Sequence, residues 1–206
     1  FNNNGNIKKD FEINGNVKNL KVLKSFNKIV NNSNFDFSFY KNKLKIENGT
    51  LELNKFVLGT NKLNITNDEN NDYLISGNIF NQTQKINPSL FKIFSKEAIF
   101  NLNKVATGKF STNFNLLVSK KLKIKKFDSI TDLKLKNSRI KISNEKINEL
   151  FSKQFIDLND HELKITYNTT NKINDNYLLI SGKGFYKLDK DLDKIKYSIK
   201  KKNKSI

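Results

Sequence analysis

The 206-residue chain has no cysteine, no methionine and no tryptophan, and it carries one proline, Pro88, and one histidine, His161. Without cysteine and with a single histidine, no zinc finger, iron–sulfur cluster, haem-thiolate site or disulfide framework can be built from its own residues. A cysteine nucleophile is excluded too, while the redox compartment stays open. Arginine is nearly missing: Arg139 stands alone, so 37 of the 38 basic residues are lysine. No apolar run reaches the roughly 18 residues that a membrane-crossing helix needs. No charged-then-apolar signal segment opens the sequence. The chain begins with Phe1 rather than methionine. The expectation is therefore a piece of a longer protein, with any anchor or signal outside it.

What is present is lysine and asparagine, 37 and 35 residues, about a third of the chain, with a formal net charge of +18. Lysine, asparagine, isoleucine and phenylalanine are the residues that A/T-rich codons encode. Codon composition accounts for much of the lysine, ahead of a functional basic patch. A sequence-reading nucleic-acid binder draws on arginine for bidentate phosphate and guanine contacts, and one arginine argues against that class. The Lys200-Lys201-Lys202 run with Lys204 reads as a solvated end.

Period-two alternation dominates and marks half-buried strands. Phe35, Phe37 and Phe39 alternate with polar residues, as do Leu44 and Ile46, Leu51 and Leu53, and Leu63 and Ile65. Phe110, Thr112, Phe114, Leu116 and Val118 stay in phase, and Leu133 with Leu135, Ile140 with Ile142, Leu163 with Ile165 and Tyr167, and Ile195 with Tyr197 and Ile199 follow. One greasy and one wet face per strand is the mark of an antiparallel sheet with a single apolar side. Glu47-Asn48-Gly49-Thr50 reads as a tight hairpin turn, because Asn-Gly supplies positive φ cheaply. Residues 67–72 and 168–176 read as polar loops. Two segments read as short amphipathic helices. One has Asn87 as cap, Pro88 in the first turn, and Leu90, Phe91, Ile93 and Phe94 at helical spacing. The other is capped by Ser143 or Asn144, with Glu145 in its first turn and Ile147, Leu150 and Phe151 on one face.

An internal repeat is visible. Leu63-Asn64-Ile65-Thr66, a polar loop and Tyr73-Leu74-Ile75-Ser76-Gly77 recur as Leu163-Lys164-Ile165-Thr166, a polar loop and Leu178-Leu179-Ile180-Ser181-Gly182. Phe11-Glu12-Ile13-Asn14-Gly15 has a related rhythm. Repeated hairpins suggest an elongated sheet rather than a closed globule, with units near 11–100 and 101–200 in a single segment spanning 1–206.

One cluster has the residue types of a site: Asp157, Asp160, His161 and Glu162. Such a set can orient a base or hold a hard cation. Acids beside one histidine in a polar stretch read first as a solvated turn, here between the second helix and a strand beginning near Leu163. No G-x-S-x-G motif occurs and no phosphate-cradling glycine loop is present. Gly182-Lys183-Gly184 is a lone Gly-x-Gly on a strand. The expectation is no enzyme, no cofactor and no metal. The phenylalanines are more telling. They line one face, and a single sheet leaves that face uncovered unless it curls, pairs or binds something.

Two stretches carry a family likeness. One runs Leu44-Lys45-Ile46-Glu47-Asn48-Gly49-Thr50-Leu51-Glu52-Leu53. The other is the strand Ile180-Ser181-Gly182-Lys183-Gly184-Phe185-Tyr186. With the strands around them they resemble the AsmA-like repeating β-groove proteins, in particular the YhdP-type central domain of Gram-negative bacteria, over about residues 11–200. The resemblance implies a long, curled antiparallel sheet with a hydrophobic groove. It also implies an inner-membrane anchor at a missing N-terminus and a periplasmic position. The work implied is phospholipid movement and outer-membrane biogenesis, with outer-membrane components as further partners. The family brings no catalytic residues. Its members are much longer than this chain, which would be one segment of such a bridge.

The expected fold is therefore mainly β, an elongated, curled antiparallel sheet with two short amphipathic helices. The expected function is sheltering phospholipid acyl chains in an apolar groove. Its lining would be Phe35, Phe37, Phe39, Leu44, Ile46, Leu51 and Leu53, then Leu63, Ile65, Phe114, Leu116, Leu163 and Ile165. Lysines at the rim would attract anionic headgroups. The competing readings are a structural or adhesive β-repeat of the cell surface and, behind it, a basic nucleic-acid binder. The scatter of lysines through nearly every strand and loop counts against the last, and no nucleic-acid partner is expected.

Overall fold

The computed structural model describes residues 11–25, 28–53, 56–86, 100–102, 105–142, 155–169, 176–187 and 191–202. Alternation of apolar and polar side chains sets the local structure almost throughout. It produces β1 (Glu12–Ser25), β2 (Lys28–Tyr40), β3 (Lys43–Leu53), β4 (Phe56–Asn67) and β5 (Tyr73–Phe80). The second part of the chain forms β8 (Ala106–Val118), β9 (Ile124–Lys136), β11 (Phe155–Asn168), β12 (Tyr177–Lys187) and β13 (Leu192–Lys202). These strands run antiparallel in chain order, each hydrogen-bonded to the next, in one unclosed sheet. Three short strands complete it: β6 (Gln84–Ile86) beside β8, β10 (Ser138–Ile142) beside β11, and β7 (Phe100–Leu102) beside β10. Among the described residues β1 and β13 each pair on one side only. There is no helix among the described residues, and the helical segments expected from Asn87 and from Ser143 or Asn144 lie outside them.

The turn expected at Glu47–Thr50 is not a turn. Residues 43–53 form one strand, and Asn48 sits in it with φ of 51°. Asn-Gly does supply the left-handed conformation, but here it makes a bulge: three steps along β3, from Glu47 to Thr50, face two along β2, from Asp36 to Asn34. The true hairpin turn lies before it, where Lys41 and Asn42 both have positive φ, 44° and 62°, between the paired residues Tyr40 and Lys43. Two such residues are what a two-residue turn matching strand twist requires. The loop expected at 67–72 is a turn closed by Asp68, whose carboxylate accepts from the Asn70 and Asp72 amides at 2.9 and 2.8 Å.

Asparagine bulges recur. Asn19 and Asn32 have φ of 56° and 51° and lie at register shifts between β1, β2 and β3. Asn137, φ 49°, separates β9 from β10, and Asp160, φ 42°, is the extra residue of β11 opposite β12. Each insertion bends its strand and reverses the alternation beyond it.

The tightest packing joins Phe56, Ile86, Ala106, Leu133 and Leu135, with Leu58, Phe110 and Leu163 against them. The Phe56 and Phe110 rings stack with centroids 6.4 Å apart. Their strands are two spacings apart, roughly 9.6 Å in a flat sheet, so the two side chains lean toward each other across the strand between. Polar side chains close the same corner. Gln84 imitates a strand residue: its amide donates to the Val57 carbonyl at 2.7 Å and accepts from the Val57 amide at 3.2 Å. Asn81 accepts from the Phe110 amide at 2.6 Å and donates to the Gly108 carbonyl at 3.2 Å.

Candidate functional site

Cross-strand partners in an antiparallel sheet project to the same face, so register alone maps the surface. Ile13, Phe39, Leu44, Ile65, Ile75, Leu116 and Phe127 are successive partners across seven strands. The next rung runs Gly15, Phe37, Ile46, Leu63, Gly77, Phe114. A third runs Ile79, Thr112, Thr131, Ile165, Ile180, Ile199 to the last strand. Its two threonines satisfy each other through a 2.8 Å hydroxyl–hydroxyl bond. Phe110, Leu133, Leu163, Gly182 and Tyr197 form a fourth.

Leu51 and Leu53 lie beyond the Asn48 bulge, which moves odd-numbered residues to the apolar side. A β-carbon on Gly49 would stand 3.7 Å from Phe35 Cβ and 3.8 Å from Ile46 Cγ2. Leu51 and Leu53 follow it in phase and pair with Leu58 and Phe56 of the packed corner. All thirteen residues singled out in the sequence thus share one face, and every one is half-buried rather than enclosed. Sequence reasoning missed Ile75, Ile79, Phe127, Ile180 and Ile199 on the same surface, although each continues a visible alternation. It missed Phe56 and Leu58 because the phase slips between Gly59 and Leu63, where β4 carries an extra residue opposite β5.

The opposite face is wet. Asn64, Ser76, Asn115 and Asp128 form one of its rungs. A shallow concavity of about 560 Å³ opens there; Asn61, Asn64, Asn78, Asn113 and Asn115 are among its lining, and Phe114 and Ile130 also border it.

The cluster Asp157, Asp160, His161 and Glu162 does not converge. The stretch is not a solvated turn but part of β11, which begins at Phe155. Asp157 takes the single arginine: Arg139 donates from Nε at 2.6 Å and from Nη2 at 2.7 Å. Glu162 lies on the wet face between Lys134 and Lys183, the latter at 3.0 Å, and its hydrogen bonds to them hold its pKa down to about 2. His161 points the other way and is fully buried. Burial lowers its pKa. Among the described residues no group of three or more His, Asp or Glu is placed to hold a metal ion.

Two glycines explain the histidine. His161 and Tyr197 meet over β12, their ring centroids 5.7 Å apart. A β-carbon at Gly184 would lie 2.6 Å from His161 Nδ1, and one at Gly182 would strike the Tyr197 ring. The Gly182-Lys183-Gly184 motif is therefore the floor under two aromatic rings, since alternate strand residues without Cβ leave a notch on one face. The repeat noted in the sequence has a matching register. Leu63 pairs Gly77 and Ile65 pairs Ile75, as Leu163 pairs Gly182 and Ile165 pairs Ile180.

No protein-family model matches the chain, and searches of curated proteins and of solved structures also give no match.

Proposed function

We propose that the sheet curls its apolar face into a groove that shelters phospholipid acyl chains, as one segment of a periplasmic lipid-transport bridge of the AsmA-like kind. The observation that carries this reading is the half-buried state of all thirteen candidate residues on one face of an unclosed sheet. A face filled by a second layer would bury them. The ten strands in sequence extend the strip over roughly 43 Å at the usual strand spacing. The resemblance of the Leu44–Leu53 and Ile180–Tyr186 stretches to YhdP-type domains supports the same reading.

The mechanism is passive. Each methylene moved from water onto the strip is worth about 0.8 kcal/mol, so a two-tailed lipid has ample reason to enter. No step needs a catalytic side chain. Headgroups stay in water at the strand ends, where lysines offer opposite charge. In the full-length protein an inner-membrane anchor would hold one end of the bridge, and outer-membrane components would receive the other.

Native mass spectrometry of the purified chain tests this. Phospholipid bound at low integral stoichiometry, and lost when Phe37 and Phe114 are both replaced by serine, is the expected result. A chain that never carries phospholipid would overturn the reading and favour the structural β-repeat.

A further inference from the structure

We infer that the β8–β9 hairpin is a membrane-docking tip that seats the sheet on an anionic bilayer surface. The turn is Ser119-Lys120-Lys121-Leu122-Lys123, followed by Ile124, Lys125 and Lys126. Leu122 and Ile124 are 77% and 68% exposed, the highest values among the large apolar residues described. Isolated exposed leucines are ordinary. These two are different because they share one tip and the turn is built to present them. The Ser119 amide donates to the Lys123 carbonyl at 2.8 Å, the Leu122 amide to the Ser119 carbonyl at 2.8 Å, and the Lys123 amide to Ser119 Oγ at 3.0 Å. Leu122 occupies the left-handed region, φ 58°, a conformation disfavoured for a non-glycine residue. The hydrogen-bonded turn holds it there with its side chain in solvent.

The charge around the tip selects the partner. Lys125 is taken by Asp72 and Lys126 by Asp128 at 2.9 Å. Lys120, Lys121 and Lys123 have no ion pair among the described residues. Of the nearby acids, Asp68 closes its own turn and Glu69 is exposed beside it. Exposed Tyr73 and Leu74, at 38% and 41%, pair with Val118 and Leu117 at the foot of the hairpin. Tyr73 shares a rung with Ile124 through Val118, so apolar side chains, a tyrosine and lysines meet at one end of the sheet, the combination that a bilayer interface takes up with its chains and its phosphate-bearing headgroups. A nucleic acid would use the lysines but has no use for Leu122 and Ile124.

The inference stands apart from the groove reading, since it uses none of the thirteen lining residues. The chain has no tryptophan, so Leu122→Trp in the full chain places a single indole at the tip. With phosphatidylcholine vesicles containing 30% phosphatidylglycerol, that indole is expected to shift its emission to the blue and to be quenched by brominated acyl chains. Pure phosphatidylcholine should give neither effect. Replacing Lys120, Lys121 and Lys123 by glutamine should weaken partitioning about a hundredfold, at about fivefold per lysine near an anionic leaflet. Leu122→Ser with Ile124→Ser, on a chain otherwise unchanged, should weaken it by tenfold or more. Circular dichroism checks that each variant keeps its sheet.

An indole that stays in water while the chain binds vesicles overturns the inference, as does binding indifferent to both sets of substitutions. Binding to single-stranded DNA but not to vesicles overturns it in favour of a nucleic-acid partner. Tip variants that lose vesicles yet retain lipid by native mass spectrometry would separate docking from the groove. Loss of lipid with docking intact would sink only the groove.

Discussion

His161 Nε2 lies 3.1 Å from the Tyr197 hydroxyl, across an intervening strand that carries glycine beneath both rings. The imidazole is fully buried and its Nδ1 has no hydrogen-bond partner. An unpaired buried nitrogen favours the neutral ring, because a charged imidazolium there would lack both water and a counter-charge.

The pH consequence has a definite sign. The folded chain holds the His161 pKa below its ordinary 6.5, so between the lowered value and 6.5 the unfolded state binds more protons. The His161 contribution to stability is therefore full above pH 6.5 and falls as pH drops through the window below it, at up to about 1.4 kcal/mol per pH unit. His161 is the only histidine, so His161→Phe should flatten the pH dependence of urea-unfolding free energies just below pH 6.5. An unchanged slope would locate the linked proton elsewhere. Tyr197 acts at the other extreme: burial pushes its pKa up to about 12. Its contribution is complete below pH 10 and is lost as pH rises toward 12.

Enclosed and half-buried apolar residues should separate by energy. Leu133 is 4% exposed and packs with Phe56, Ile86, Ala106 and Leu135. Leu133→Ala should cost about 2–5 kcal/mol through lost transfer energy and the cavity it leaves. Phe37 is half-buried, and Phe37→Ala should cost about 1–2 kcal/mol because part of the ring is already in water. Denaturant midpoints measure both. The reverse order would mean that the phenylalanines, not the Leu133 corner, form the core.

Asn81 is a buried side chain that donates to the neighbouring Gln82 carbonyl and has two partners on β8, accepting from the Phe110 amide and donating to the Gly108 carbonyl. Asn81→Ala strands both backbone groups, at about 1–3 kcal/mol each. The sharper readout is hydrogen exchange. The Phe110 amide should lose protection in the variant, while the Leu116 amide farther along the same strand keeps it.

The alternation of Phe110, Thr112, Phe114, Leu116 and Val118 translates directly into β8, and the thirteen residues picked for their phase lie on one face. This much is legible because strand period and side-chain direction are the same physical fact. What hides is the inserted residue. Ile156 and Leu158 are buried, and so is His161, three residues on rather than two. The extra Asp160 breaks the rhythm, so β11 reads as an acidic turn. Asn48-Gly49 misleads likewise, since a bulge and a hairpin turn need the same positive φ and only the cross-strand partner tells them apart. The abundance of asparagine also gains a second meaning beside codon composition. Asn19, Asn32, Asn48 and Asn137 each occupy a left-handed position that valine or isoleucine would resist.

Asn48 therefore offers a test of how the face is assembled. Its φ of 51° and its 3.0 Å hydrogen bond to Asp36 Oδ2 stabilise the bulge. Asn48→Gly keeps the conformation and loses only an exposed hydrogen bond, so stability should change by about 0.5 kcal/mol or less. Asn48→Val forces a β-branched residue into the left-handed region, at a cost of about 1–2 kcal/mol. The chain can relieve that strain by removing the bulge. Doing so would slip the register by one residue and turn Leu51 and Leu53 to the wet face. Nuclear Overhauser contacts between Leu51 and Leu58, and between Leu53 and Phe56, should persist in Asn48→Gly and weaken or vanish in Asn48→Val. If they survive unchanged in both, the bulge is not what sets the phase of this half of the sheet.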